Sequence, residues 1–430
     1  MLAAFSQSTR SAGAFDLEAW NDALDAVADT PGDPQVVAWD ETFWAPSQQA
    51  FALDRSLINL NNGGVSPSPR VVLEAQKRYI DHANTAPSHV LWRLQEPQRE
   101  TVREAVAKHW GVDAEEIAFT RNTSESLQIC QTGMDLKPGD EVITSTQDYP
   151  RMLMTFRQLE KRVGIKLVLI KLPIPCENDD EAVARFEAAI TPRTRMILMS
   201  HVINLTGQIL PVKKVVEMAR GKNGGIPVVV DGAHGFAHLN FKISDLGCDY
   251  YGVSLHKWLF APHGTGLLYV RRDKIKGLWP MMAAAEKQSE DIRKFEEIGT
   301  HSMAPILSIG EALAFHETIG DARKEARMRF LRNYWAQRLI SASGSSDHPV
   351  VLHTSLDPRF SCGIATFQLK GVDSIKITSE LWERHKIITT AIKHEEFEGV
   401  RVTPSIYTLR QELDRFLEAV EHIMKQGLAT

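Results

Sequence analysis

Ile226-Pro227-Val228-Val229-Val230-Asp231-Gly232-Ala233-His234, and downstream Ser254-Leu255-His256-Lys257-Trp258, decide how this chain reads. The first stretch is an apolar run bounded by turn residues, the pattern of a strand buried on both faces, and it ends on an acid. The second carries a lysine beside a histidine, with apolar segments around it. Lysines are ordinarily solvated, but these flanks argue for enclosure. An enclosed amine near a strand-end carboxylate and two histidines suits a nucleophile with a charged partner for a heteroaromatic ring.

Outward from these segments the pattern alternates. Apolar strands are predicted at 116–120, 141–145, 166–172, 195–202, 227–230, 250–254 and 266–270, with helices at 150–163, 179–190 and 211–220 among the segments between them. Such alternation implies an α/β fold with a mostly parallel seven-stranded sheet covered by helices. Ligands of these sheets sit beyond the carboxyl ends of the strands, where Thr120, Ser145, His201, Asp231 and Ser254 are predicted to converge.

On the amino-terminal side, helices are predicted at 15–28, 69–82 and 96–110, with a breaker at Pro31-Gly32-Asp33-Pro34. Leu57 to Gly64 reads as a short strand running into a glycine turn. Beyond residue 305 the character changes to a long helical stretch over 309–339, strands at 350–353, 363–369 and 400–403, and helices at 374–385 and from Leu409. The division implied is a tail or leader remnant at 1–14, an N-terminal segment at 15–64 packing with the small domain, a large domain at 65–304 and a smaller α+β domain at 305–430.

The composition bounds the function. The chain has 430 residues, 43% of them hydrophobic, and a net charge of -5, which argues against a nucleic-acid or anionic-membrane surface. No apolar run is long enough to span a bilayer. The cysteines at 130, 176, 248 and 362 show neither metal-ligand pairing nor a disulfide framework. Met1-Leu2-Ala3-Ala4-Phe5 and Ala12-Gly13-Ala14 leave two readings open: a trimmed export leader, hence a periplasmic protein, or a cytoplasmic tail.

Further segments add possible ligand contacts. Asn122 and Glu125 have capping-box spacing, so Thr123 and Ser124 open a helix whose N-terminus suits a phosphate. Tyr149 precedes a helix and offers a ring for stacking, and Asn204 follows a strand where it can meet a phenolic oxygen. Arg401 ends a short strand and suits a carboxylate. Together with Lys257 and Asp231 these point to pyridoxal phosphate, whose aldehyde takes a lysine amine and whose pyridinium pairs with an acid. A nucleotide site would need a glycine-rich phosphate loop, and no convincing G-x-G-x-x-G opens a helix.

In order, these motifs resemble the class V aminotransferase superfamily of PLP fold type I, in its isopenicillin N epimerase-like branch. The resemblance covers roughly residues 55 to 425 and is carried by Asn59 to Pro67, Thr120 to Glu125, Asp231 to His234 and Ser254 to Trp258. It implies that Lys257 is the Schiff-base lysine and moves protons, that Asp231 pairs with the pyridinium, and that His234 and Asn204 contact the phenolic oxygen. It further implies that Tyr149 stacks where the family often has a histidine, and that Thr123, Ser124, Ser254 and His256 hold the phosphate. Thr300 matches the position from which a second subunit completes that site, which implies a homodimer. Arg401 takes the substrate carboxylate, and Asn61, Asn62, His89, Trp92 and Arg93 are candidates to face the substrate.

Cysteine desulfurases in this superfamily use a late-loop cysteine, and none lies between Ile387 and Arg401. The implied activity is therefore transamination, epimerisation or elimination on an amino acid or an amino-acid residue of a metabolite or peptide. A periplasmic tailoring enzyme of siderophore (pyoverdine) maturation and a PLP-binding protein without turnover are the alternatives.

Overall fold

The computed structural model describes residues 32–428. The possible leader and the helix predicted at 15–28 lie outside them. A short strand, β1 (Ile58–Asn59), precedes the large sheet. That sheet is built from β2 (Ile117–Thr120), β3 (Glu141–Ser145), β4 (Lys166–Ile170), β5 (Thr194–Ser200), β6 (Val228–Asp231), β7 (Tyr250–Ser254) and β8 (Gly266–Val270). Its strand order is β2-β8-β7-β6-β5-β3-β4, the seven-stranded α/β sheet expected. Neighbours from β7 through β4 run parallel, and β8 is antiparallel to both β7 and β2.

Every residue of β6, β7 and β8 is buried, which is why these segments read as unbroken apolar runs rather than as alternation. The pleat divides them between two cores. Val228 and Val230 pack on one face with Phe236 and Trp258, whereas Val229 packs on the other with Leu127 and Phe156. The parallel strands β3, β5, β6 and β7 therefore deliver Ser145, Ser200, Asp231 and Ser254 to one edge.

A third core belongs to the later part of the chain. It lies under β9 (Val350–Leu352), β10 (Ala365–Leu369), β12 (Thr390–Lys393) and β13 (Glu398–Val402), an antiparallel sheet in the order β12-β13-β10-β9, with β11 (Ile387–Ile388) apart from it. Helices Asp321–Ala342, Ser374–His385 and Arg410–Gln426 contribute to this core, where Trp335, Phe367 and Phe416 meet edge to face. β1 pairs in parallel with β11, and Asn61 bridges to Thr403, so the early segment joins this part of the molecule.

Some elements differ from the sequence reading. The single helical stretch expected over 309–339 is two helices, Ile309–Ile319 and Asp321–Ala342, because Gly320 takes a positive φ of 84° between them. Helix Glu41–Gln49 was not expected, since Pro46 lies inside it. β12 is short and half-buried and gives no clear apolar period. Among the described residues no helix is long and apolar enough to cross a membrane.

The turn after β6 depends on a close approach. A Cβ built on Gly232 would lie 2.0 Å from Cε1 of Tyr251. That ring is fully buried, and its hydroxyl is 2.9 Å from Nδ1 of His201, so it has nowhere to move. Gly232→Ala is expected to destabilise the fold by about 2–3 kcal/mol, the upper part of the overpacking range, read as a lower urea midpoint at unchanged slope. An unshifted midpoint would show that the ring yields.

Candidate active site

After β6 the chain turns sharply, with the Gly232 N–H donating to the Gly252 carbonyl at 2.8 Å and the Ala233 N–H donating to Asp231 Oδ1 at 3.0 Å. This brings His234 back over the sheet edge. After β7 the Lys257 N–H donates to the Ser254 carbonyl, and the lysine side chain ends 3.2 Å from Nε2 of His234. Burial pushes the Lys257 amine down to about 8, opposed by Asp231 and reinforced by Arg401. Burial also pushes the Asp231 carboxyl up to about 6, with Asp148 adding to the rise and Lys257 opposing it. His234 is held well below its ordinary range by the same loss of water and by the Lys257 charge.

A cavity of about 640 Å³ lies over these groups, with Lys257, Asp231 and His234 in its lining. Thr123, Ser124 and Ser254 line it from the start of helix Thr123–Gly133 and the end of β7. The Ser254 hydroxyl accepts from the Thr123 N–H at 3.0 Å and from the Thr123 hydroxyl at 2.9 Å, which locks helix to strand. Asn122 caps the helix by accepting from the Glu125 N–H. His256 lines the cavity with its Nδ1 3.2 Å from the Thr265 carbonyl, and burial pushes its imidazole down to about 4. Tyr149 stands half in solvent, and Asn204 and Arg401 line the cavity as well.

Six expected site residues are placed elsewhere. Asn61 sits outside the lining, but its Oδ1 accepts from Arg401 Nη2 at 2.9 Å while Arg401 Nη1 donates to the Asn204 carbonyl. It therefore aims the arginine. The substrate contact expected of Asn62 is not available from its position: it is fully buried, and its amide is used by Asn59, the Thr403 carbonyl and the Tyr407 hydroxyl. Thr300 lines a separate cavity of about 310 Å³ together with Trp92 and Arg99. His89 and Arg93 line neither cavity.

Several site residues escaped the sequence reading. Gly63, Gly64, Arg151 and Met152 line the main cavity. Asp148 is buried beneath it and accepts from the Thr144 hydroxyl and the Ser145 N–H and hydroxyl on β3, and from the Ser200 N–H and hydroxyl on β5. The available signal was a strand-end serine three residues before an aspartate, the spacing of a side-chain-closed turn. All four cysteines are free and buried, and none lines the cavity.

The family described as Aminotransferase class-V matches residues 58–416. The chain belongs to the class V aminotransferase family. It is 30% identical to the isopenicillin N epimerase of Amycolatopsis lactamdurans over 405 residues, covering 89% of this chain and 99% of that one. Against the isopenicillin N epimerase of Streptomyces clavuligerus the identity is 29%, with 88% and 98% covered. A probable cysteine desulfurase of Pseudomonas putida is 28% identical, with 86% and 93% covered. In fold it is similar to the cysteine desulfurase CsdA of Escherichia coli, with a TM-score of 0.76, 22% identity and 91% and 98% of the two chains covered.

Members of the class V aminotransferase family are pyridoxal-phosphate enzymes, and the cavity of this one fits that cofactor on its own chemistry. Among the described residues no cation is in ion-pair contact with the buried Asp231 carboxyl, so a pyridinium would relieve it. Asn204 Oδ1 and Arg401 Nε are buried polar atoms without a partner among the described residues. Such atoms cost about 1–3 kcal/mol each until a ligand or water satisfies them. At the helix N-terminus the Thr123 and Glu125 N–H groups are taken, which leaves that of Ser124 for an anion.

Proposed function

We propose that this class V enzyme removes and returns a proton at the α-carbon of an amino acid, or of an amino-acid residue within a larger metabolite, with epimerisation as its first reading. The observation that carries the proposal is the Lys257 amine, 3.2 Å from His234 in a cavity that also presents Asp231 and Arg401. Bound pyridoxal phosphate supplies an aldehyde that captures amines and a pyridinium that withdraws electrons from the carbon beside the captured nitrogen.

The protein's own groups then divide the work. Lys257 holds the aldehyde and moves the proton, an amine depressed to about 8 being a usable base near neutral pH. Asp231 keeps the pyridine nitrogen protonated by charge pairing. Ser124 by its N–H and hydroxyl and Ser254 by its hydroxyl would hold the phosphate, with Thr123 fixing Ser254 through its own N–H and hydroxyl and His256 lining the same cavity. His234 and Asn204 face the phenolic oxygen, and Tyr149 covers the ring from the cavity mouth. Arg401, aimed by Asn61, takes the α-carboxylate. Thr300, remote from this site, serves the equivalent phosphate in a second copy, so the working unit is a homodimer.

The similarity to isopenicillin N epimerases supports epimerisation. Sulfur transfer is the weaker reading, because the Cys362 and Cys176 thiols are buried and pushed up rather than activated. The test is incubation with an amino-acid and peptide library in D2O. Deuterium at the α-carbon with inversion supports the proposal, a keto acid formed with loss of the amino group moves it to transamination, and exchange with neither substrate class refutes it. Arg401→Lys is expected to raise KM about 10- to 100-fold with little change in kcat, since a carboxylate loses a forked partner in both ground and transition states. A fall confined to kcat would place Arg401 away from the carboxylate.

A further inference from the structure

Trp258, the residue after the reactive lysine, is fully buried and outside the main cavity's lining. Its indole Nε1 donates to Nδ1 of His234 at 3.3 Å. Its ring lies parallel to that of His238, with centroids 4.1 Å apart and planes 10° apart, and its carbonyl accepts from the buried Lys324 amine. His238 is itself fixed. The Gly363 N–H donates to its Nε2 at 2.9 Å, so its Nδ1 must carry the proton that it gives to the His234 carbonyl at 2.7 Å. The indole N–H, the Trp258 carbonyl and both His238 nitrogens are therefore each committed to one partner.

An indole N–H can only donate. Nδ1 of His234 must then be bare, and a neutral imidazole with a bare Nδ1 carries its proton on Nε2. That nitrogen is the one 3.2 Å from Lys257 Nζ. If Lys257 were an ammonium ion, both atoms in this contact would be donors. The contact is satisfied only when the lysine is a free amine accepting the Nε2 proton.

We propose that Trp258 is a positioning residue that fixes the His234 tautomer, so that His234 stabilises Lys257 as the free amine before cofactor capture and donates from Nε2 once Lys257 has been engaged. The second half rests on the cofactor reading above, and the first does not. Burial, the main cause of the downward shift of Lys257 to about 8, acts in the same direction, and the His234 contact is a separate, geometric contribution. The other charges near the pair act through space: Asp231 favours the ammonium form, Arg401 disfavours it, and the lysine charge in turn holds down the neighbouring His256 imidazole. The indole acts differently, by choosing which His234 nitrogen bears hydrogen.

The test measures ring-nitrogen shifts in full-length protein with 15N-labelled histidine, cofactor-free and loaded with pyridoxal phosphate, with His234 assigned through His234→Gln. The expected result is a neutral His234 protonated at Nε2 in both forms. Trp258→Phe keeps an aromatic ring at this position and removes the donor. It is expected to mix the two His234 tautomers, to move the pH midpoint of pyridoxal phosphate capture upward, and to slow capture at pH 7 about three- to tenfold, the worth of one hydrogen bond. A wild-type His234 protonated at Nδ1, or a folded Trp258→Phe that keeps the Nε2 proton and the capture profile, overturns the proposal. If the variant does not fold, the wild-type shifts decide alone. Failure of pyridoxal phosphate to bind would count against the cofactor reading, while the tautomer in the cofactor-free protein still tests the positioning role.

Discussion

Lys257→Ala is expected to lower turnover by at least about 10⁴-fold, because it removes both the covalent holder and the proton carrier, and to leave the protein without the visible absorbance of a lysine-linked cofactor. Among the described residues no other lysine lines the cavity. A buried lysine elsewhere, Lys324, donates to the Trp258 carbonyl and contacts His316 Nδ1 at 3.2 Å, and it does not line the cavity. Steady-state turnover and an absorbance spectrum check the outcome. A variant that keeps its colour and more than about a tenth of its rate would move the chemistry to another amine.

Asp231→Asn is expected to have two opposite effects. In the cofactor-free protein the carboxyl is raised from 3.8 to about 6, chiefly by burial, so the fold disfavours its ionised form. The penalty is absent below the ordinary carboxylate pKa, grows as pH rises, and is complete above about 6. At about 1.4 kcal/mol per pKa unit, the cofactor-free variant should be about 2–3 kcal/mol more stable than wild type at pH 7.5. The difference should vanish near pH 4. With cofactor present the asparagine cannot keep the pyridine nitrogen protonated, so kcat should fall by about 10³-fold or more, a loss of about 4 kcal/mol of transition-state stabilisation. Urea denaturation at several pH values measures the first effect and steady-state kinetics the second. A variant less stable at every pH would mean that the carboxylate is already paired.

The sheet and much of its edge were legible because burial on both faces writes itself as continuous apolar runs. Val228, Val229 and Val230 could be read as a strand without knowing which face each would choose. Asp231 and Ser254 were legible because they end such runs, and the carboxyl edge of a parallel sheet is where they must emerge. Arg401 was legible as a charge at the end of an apolar strand.

What was not legible is long-range. Asn62 and Asn61 are adjacent, yet one points its amide at Thr403 and Tyr407 and the other at Arg401, partners more than three hundred residues away. Asp148 reads as half of a local turn, but its second oxygen joins β5 and holds the edge together. Trp258 looks like core filling, and only the placement of its indole against His234 gives it a chemical role. Gly320 was legible as a glycine but not as a break, because apolar spacing continues on both sides of it.

Borohydride reduction of the full-length protein with pyridoxal phosphate, followed by peptide mass mapping, tests the central claim most directly. The peptide carrying Lys257 should bear the pyridoxyl group in near-stoichiometric yield, and the same treatment of Lys257→Ala should label no peptide above background. A reduced adduct on another lysine, or a protein that takes up no cofactor, would contradict the account.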